Sequence, residues 1–430
     1  MGSGLKKSED FGTELLTLFE RFCTFGATGA GGINRLAASE ADREARDFLC
    51  QWLQEQGCQV IVDAVGNIFG IFDLETGQAN SYFFCGSHLD SQPGGGRFDG
   101  TYGVASACIT SLAIRNAVRK GDLDPRCRFF VVVCWTGEEG ARFQPSLLGS
   151  GVFTGAIPVE DALSAIDAQG TTLRDALSAI GYHGTGQGPR PDHNIEIHIE
   201  QGPKLEAAGK DVGVVTSCWG ARKLRLQIAG RPDHTGPTPM ADRKDALLAA
   251  AHVITRVHEL ATGAWAPVHG SVGRIQIEPN SPNTVAAQAM LWIELRSGDE
   301  TALGRVEADL RAIFEDVASL TGCKLQVLSS ERREAIEFDR AARSVVEAAL
   351  DEAGLGHMAM PTIAGHDAIN LQRICPSTLI FVPSQNGISH SPDEFTSEQA
   401  MIQGLKALTE AVSKLISSRG ETTNAVDAHA

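Results

Sequence analysis

The sequence predicts an α/β fold in two parts: a three-layer domain on a largely parallel sheet, interrupted by a smaller α+β unit of ferredoxin-like pattern. Three observations carry this. Apolar strand runs alternate with helical repeats through the first half of the chain. The order between residues 213 and 329 changes to β-α-β-β-α-β. A chain of 430 residues also exceeds what one core usually holds. The expected domains are 1–212 with 330–430, and 213–329 inserted between them.

Apolar residues recur at helical spacing from Glu14 to Phe25 and from Ser39 to Gln56, with Ser39 and Asp42 set as an N-terminal capping pair. Strands are read at Gln59 to Val65, Ile68 to Asp73, Tyr82 to Ser87 and Arg128 to Trp135, and a long helix runs from Tyr102 to Lys120 between the last two. The strand Ile195 to Glu200 extends that sheet. The inserted unit reads as strand (Lys223 to Ala229), helix (Lys244 to Leu260), strands (Gly270 to Ile277 and Thr284 to Leu295), helix (Thr301 to Thr321) and strand (Lys324 to Leu328). A helix (Arg340 to Ala353), a His-Asp loop (Gly365 to Ala368), a buried strand (Thr378 to Val382) and a last helix (Ser397 to Ser417) complete the first domain. The polar tail 418–430 is expected to be disordered.

Composition bounds the function. A net charge of -16 argues against nucleic acid and anionic membranes as partners. No apolar run approaches the roughly 20 residues of a membrane span, and MGSGLKKSEDFG lacks the apolar core of a signal peptide, so a cytoplasmic location is expected. Ten cysteines without a CxxC pair read as buried free thiols.

Four strand ends carry the chemistry. In GSHLDSQPGGGRFDG, His88 closes an apolar strand, Asp90 is placed to hold its other ring nitrogen, and Asp99 can offer one oxygen to each of two ions. FFVVVCW runs into TGEEGARF, and adjacent Glu138 and Glu139 on extended backbone would point opposite ways, one to metal and one to substrate. His198 stands in NIEIHIEQGP with Gln201 just beyond, and His390 lies in PSQNGISHSPDE, a loop after a buried strand. Three histidines, a shared carboxylate and one glutamate give two divalent ions a three-ligand shell each. Zinc suits that donor set, as do manganese, cobalt and nickel. In the inserted unit, His234 sits on a Pro-rich turn, PNSPNTV supplies Asn283, and Arg296 ends a strand as a bidentate partner for a substrate carboxylate. A surface ion pair with Glu294 or Asp299 is the competing fate of Arg296.

Together these stretches resemble the two-metal amidohydrolases of the carbamoylase branch: N-carbamoyl-L-amino acid hydrolases, β-ureidopropionases and allantoate amidohydrolases. The wider group includes dinuclear zinc aminopeptidases. The resemblance covers nearly the whole chain and implies a metal-binding catalytic domain with a lid that forms a homodimer. It implies that His88 and His198 bind one ion, Glu139 and His390 the other, and that Asp99 bridges them. Glu138 would be the general base, Asp90 the support of His88, and His234 the lid histidine that stabilises the developing oxyanion. Gln201, Asn283 and Arg296 would hold the amide and carboxylate of a small-molecule substrate. One departure is Pro237, where relatives commonly carry Thr or Ser. The expected reaction is hydrolysis of the linear C–N bond of an N-carbamoyl amino acid. Allantoate or a related ureide is the alternative substrate, and a peptidase or N-acyl amino acid deacylase is a further one. His198 argues against the peptidases, which place a carboxylate there.

Overall fold

A computed structural model describes residues 8–417. The tail expected to be disordered, 418–430, lies outside the described residues.

Thirteen strands form two sheets among the described residues. In chain order, β1 (Gln59–Val62), β2 (Ile68–Asp73), β3 (Tyr82–His88), β4 (Phe129–Trp135), β5 (His193–Ile199) and β6 (Val212–Cys218) come first. Next are β7 (Gly220–Ala229), β8 (Val268–Glu278), β9 (Gln288–Ser297) and β10 (Lys324–Arg333), which make a separate sheet. Last come β11 (Ile336–Glu337), β12 (His357–Thr362) and β13 (Ser377–Val382), which return to the first.

The larger sheet runs β1-β2-β4-β3-β5-β13-β6-β11, with β12 also on β6. Its centre, β4-β3-β5-β13, is parallel, and β2 and β6 flank it antiparallel. The central strands are buried on both faces and mostly apolar, with β5 the exception: Ile195, Ile197 and Ile199 line one face, and the buried polar Asn194, Glu196 and His198 line the other. In β4, Phe130, Val132 and Cys134 enter the main core cluster, while Val131, Val133 and Trp135 join a second cluster on the opposite face. A two-residue period that is apolar in both phases needs cover on both sides, which is why three layers form. Helix Thr101–Arg119 packs into the main cluster with most of its length buried. Leu371 and Cys375, beside the short helix Asp367–Leu371, close the other face.

Two local expectations are corrected. The Gly365 to Ala368 stretch does not stay a loop, because Asp367 opens a helical turn. Strands β6, β11 and β12 were not anticipated; β12 carries Pro361 and pairs β6 off the main path of the sheet. The expected cap of helix Glu40–Glu55 forms on one side. Ser39 Oγ accepts the Asp42 amide at 3.3 Å, while the Asp42 carboxylate takes the Ala38 amide and the Arg46 guanidinium, both at 2.7 Å.

Contacts divide the chain into two compact units, the second being Ser217–Glu337 with Pro361–Ala364. This second unit has an antiparallel sheet in the order β10-β7-β9-β8. Helices Ala246–Gly263 and Glu300–Thr321 are capped by Asp245 and Asp299 and share its apolar core. Along β9 buried and half-buried residues alternate strictly, the signature of a sheet covered on one face. No helix of the described residues is long and apolar enough to cross a membrane.

Candidate metal centre

Four parallel neighbours bring their C-terminal ends to one edge of the sheet, and the chain leaves each of them carrying chemistry. His88 ends β3, and His198 stands one residue before the end of β5. Glu138 and Glu139 follow β4, and His390 follows β13.

Asp99 sits where these ends converge and divides its two oxygens between them. Its Oδ1 lies 3.0 Å from His198 Nε2 and 3.4 Å from His88 Nε2. Its Oδ2 lies 3.2 Å from His390 Nε2, which is itself 3.4 Å from Glu139 Oε2. Two three-residue groups result: an inner one of His88, Asp99 and His198, all buried, and an outer one of Asp99, Glu139 and His390. Within each, the candidate ligand atoms lie within 4.8 Å of one another. Both inner histidines rest Nδ1 against a backbone carbonyl at 2.9 Å, Asp90 O for His88 and Ile199 O for His198, which turns Nε2 toward Asp99. His88 Nε2 is buried without a hydrogen-bond partner among the described residues. A divalent cation fits that orphaned donor atom and the N and O ligand set.

Local backbone makes this approach possible. Gly100 has φ +62°, and a Cβ there would lie 2.5 Å from His88 Cε1 and Nε2. The glycine lets the chain turn against the ring and start its helix directly after Asp99.

Two expectations are met through different local geometry. The partner of His88 Nδ1 is the Asp90 carbonyl, with the Asp90 carboxylate 3.8 Å away. That carboxylate instead accepts the amides of Glu138 at 3.2 Å and Glu139 at 3.3 Å, so Asp90 positions the neighbouring loop. The two glutamates also diverge for another reason than strand alternation. They lie past the end of β4, between Gly137 and Gly140, both at positive φ. Glu138 Oε2 comes 3.6 Å from His88 Nε2, while Glu139 faces His390.

Burial and proximity set the charges of these groups. Burial opposes ionisation of Asp99, but the close approach of His198, His390 and His88 overcomes it and holds the carboxyl well below its usual range. Burial also opposes charge on His88, which Glu138 and Asp99 outweigh, raising it well above the ordinary histidine value. His390 is raised to about 9, its burial outweighed by Asp99 and Glu139. Glu139 is pushed up to about 7 by burial and by Asp99. Burial lifts Glu138 well above a normal carboxylate; His88 counters it, and Asp367 and Glu139 add to it. Bound cations would take the place of the protons these groups hold.

Gln201 belongs to the same cluster. Its Nε2 donates to Asp99 Oδ2 at 2.8 Å and to Ser389 Oγ at 3.2 Å, while its Oε1 is buried without a hydrogen-bond partner among the described residues. His234, Asn283 and Arg296 lie in the second unit. There the His234 backbone bridges Thr284, and the Thr235 amide meets Asn283 O at 3.3 Å, so the two loops run together. Arg296 donates to Ile363 O at 2.8 Å and pairs with Glu294 at 3.0 Å. The competing ion pair thus forms, with part of the guanidinium left over.

Two positioning residues escaped the sequence analysis. Gln92 donates its amide nitrogen to Glu139 Oε1 and its Nε2 to Glu139 Oε2. Glu394, 4 % exposed, accepts the amides of Phe98 at 3.0 Å and Asp99 at 3.1 Å and the Ser389 hydroxyl at 2.7 Å. Both stand inside stretches already marked by His88 and His390. Nothing in the spacing singled them out, because each acts on another loop.

A mixed α/β fold whose strand ends converge two metal-ligand groups on one carboxylate defines a metal-dependent hydrolase. The chain belongs to the peptidase family M20/M25/M40, whose family model matches residues 84–414, and it is an amidohydrolase. It is 36% identical over 391 residues to the N-carbamoyl-L-amino-acid amidohydrolase of Rhizobium meliloti, covering 89% of this chain and 91% of that one. It is 31% identical over 400 residues to the allantoate amidohydrolase of Bacillus subtilis strain 168, covering 92% and 96%. Among solved structures, the amidase of the hydantoinase/carbamoylase family from Burkholderia vietnamiensis superposes with a TM-score of 0.90 at 35% identity, over 95% of this chain and 98% of that one.

Proposed function

We propose that the protein hydrolyses the linear C–N bond of an N-carbamoyl amino acid, α or β, releasing ammonia, carbon dioxide and the free amino acid. The observation that carries this is Asp99 sharing its two oxygens between two ligand groups with Glu138 alongside. His88, His198 and Asp99 would hold one divalent ion, and Asp99, Glu139 and His390 a second, zinc first, with manganese, cobalt or nickel as substitutes. Such ions, when bound, polarise a carbonyl and acidify water.

The chain's own groups do the rest. Glu138 takes the proton of the attacking water and returns it to the leaving nitrogen, a task suited to a carboxylate whose proton affinity burial has raised. Gln201 has a free acceptor, Oε1, for a ureido N–H. Arg296 with Asn283 takes the substrate carboxylate, and His234 meets the charge that develops on the carbonyl oxygen. The second unit serves as the lid, and its β-α-β-β-α-β order supports the ferredoxin-like assignment. Homodimerisation through that unit is supported by the exposed apolar side chains Leu247, Leu248 and Trp265.

Allantoate is the second reading, favoured by the match to an allantoate amidohydrolase. A panel of N-carbamoyl-β-alanine, N-carbamoyl-L-amino acids and allantoate, scored by ammonia release, separates the two. Glu138→Gln should keep metal and lose turnover by about 100-fold or more; near-full turnover would remove it as the base.

A further inference from the structure

The Pro-rich turn of the second unit engages the ring of its own histidine. The Gly236 amide donates to His234 Nδ1 at 3.0 Å. A backbone amide can only donate, so Nδ1 meets it with a lone pair and the proton of the neutral ring sits on Nε2. A proton on Nδ1 would face the amide hydrogen instead. The rest of the turn holds this contact in place. The Thr238 amide closes it on His234 O at 3.4 Å, and the Val285 amide holds Asp233 O at 2.8 Å. Arg243 fastens it further, donating to Thr235 O at 2.5 Å and to Thr238 O at 3.0 Å. Of the amides that follow the ring, that of Thr235 is given to Asn283 O at 3.3 Å, and Pro237 has none, which leaves that of Gly236 for Nδ1. The departure at Pro237 thus removes a competing donor beside the ring and fixes φ at its own position.

We propose that the Gly236 amide is a positioning group that locks the His234 ring with its proton on Nε2, so that the ring meets the substrate's carbonyl oxygen as a neutral hydrogen-bond donor and never as a base. This rests on the reading of His234 given above. Stabilising a developing oxyanion requires a donor already aimed before the charge forms. A ring free to exchange its proton between the two nitrogens would present a lone pair to that charge part of the time, and the amide on Nδ1 prevents it. The same contact divides the chemistry. With Nδ1 engaged and Nε2 protonated, His234 has no lone pair to offer the attacking water, and proton transfer is left to Glu138.

The test reads the ring directly. Full-length protein, isotope-labelled at the nitrogens of glycine and histidine, is followed by NMR, with His234→Ala identifying the signals of the ring. Wild type should show a protonated Nε2, an unprotonated Nδ1 and a scalar coupling across the hydrogen bond from the Gly236 amide to Nδ1. Gly236→Pro removes the amide proton, whereas Gly236→Ala keeps it, its Cβ lying at an ordinary 3.5 Å from the ring. Thermal melts report folding, and kcat and KM are measured by ammonia release on the fastest substrate of the panel above. His234→Ala should lose about 100-fold in kcat and Gly236→Pro about tenfold, the latter with KM little changed. Gly236→Ala should keep the coupling and a kcat well above that of the proline variant. A wild-type ring protonated on Nδ1, or lacking the coupling, would overturn the lock while leaving the oxyanion role of His234 intact, and this outcome needs no variant to fold. A folded Gly236→Pro with wild-type kcat would do the same. Full turnover in His234→Ala would instead overturn the oxyanion role, and the proposal with it.

Discussion

Glu394 gives the sharpest test of how the centre is held together. It is 4 % exposed, and it accepts the Phe98 and Asp99 amides on one oxygen and the Ser389 hydroxyl on the other. Gly96 yields the space, since a Cβ there would fall 2.0 Å from Glu394 Oε1. Glu394→Ala leaves two buried amides unpaired, at about 1–3 kcal/mol each. Water admitted to the vacated space beside Gly96 would re-solvate part of that, so we expect a loss of about 2–4 kcal/mol in the metal-free protein. The backbone that presents Asp99 to both ligand groups would loosen with it, and metal affinity should fall by about 10- to 100-fold, the usual cost of losing an outer-shell partner. Glu394→Gln keeps an acceptor for both amides and should recover most of both losses. Urea unfolding of stripped protein reads the first quantity, and zinc titration reads the second. An alanine variant within about 0.5 kcal/mol of the parent, the scatter of an ordinary surface change, and with unaltered zinc affinity would refute the reasoning.

Arg296→Ala should raise KM for a carboxylate substrate by about tenfold or more with kcat little changed, and lysine should not restore it, because the fork geometry is lost; an unchanged KM removes the clamp. Gly100→Ala should abolish metal retention, since the added methyl meets the His88 ring at 2.5 Å and φ +62° is strained for alanine by about 1–2 kcal/mol; elemental analysis showing full metal content would contradict this. Dialysis against a chelator should abolish ammonia release and lower the melting temperature. Restoring free zinc to about 100 times its dissociation constant should return about 2.7 kcal/mol of stability per site along with activity; no shift in melting temperature would mean that the described groups do not hold the ion.

The fold was legible wherever hydrophobic patterning had to satisfy two faces at once. The runs YFFCGSH and FFVVVCW admit little besides central strands, because a polar residue on either face would be buried. Besides β6, whose run Val212–Cys218 falls where the two domains were divided, strands β11 and β12 escaped notice for the opposite reason. One has two residues and the other a proline, so neither carries a period long enough to read. The His-Asp stretch was legible as chemistry but not as structure: Asp367 is fully buried, and its helical turn is set by Glu196, whose carboxylate accepts the Ala368 amide at 2.9 Å from a strand more than 150 residues earlier.

At the centre the same division holds with a physical reason behind it. Four of the five ligands are legible because each stands at its own strand end in a particular residue type, and type and place are both written locally. The contacts that set distances between ligands are not local. Asp90 and Gln92, after β3, hold the loop after β4. Glu394, after β13, holds the loop after β3. Gln201, after β5, reaches both Asp99 and Ser389. Every ligand-bearing loop is thus tied to another by a polar side chain that is not itself one of the five candidate ligands. Asp90 shows what spacing alone does not read, namely which of its atoms meets the ring. Two residues past a histidine its carboxylate was an available partner, but the turn brings its carbonyl to the ring first and leaves the carboxylate free to hold Glu138 and Glu139. The geometry of the two ligand groups is therefore a property of the linked loops. Cutting one link should displace the ligand it serves more than its neighbours, and the Glu394 variants, which loosen Asp99, should weaken both groups together.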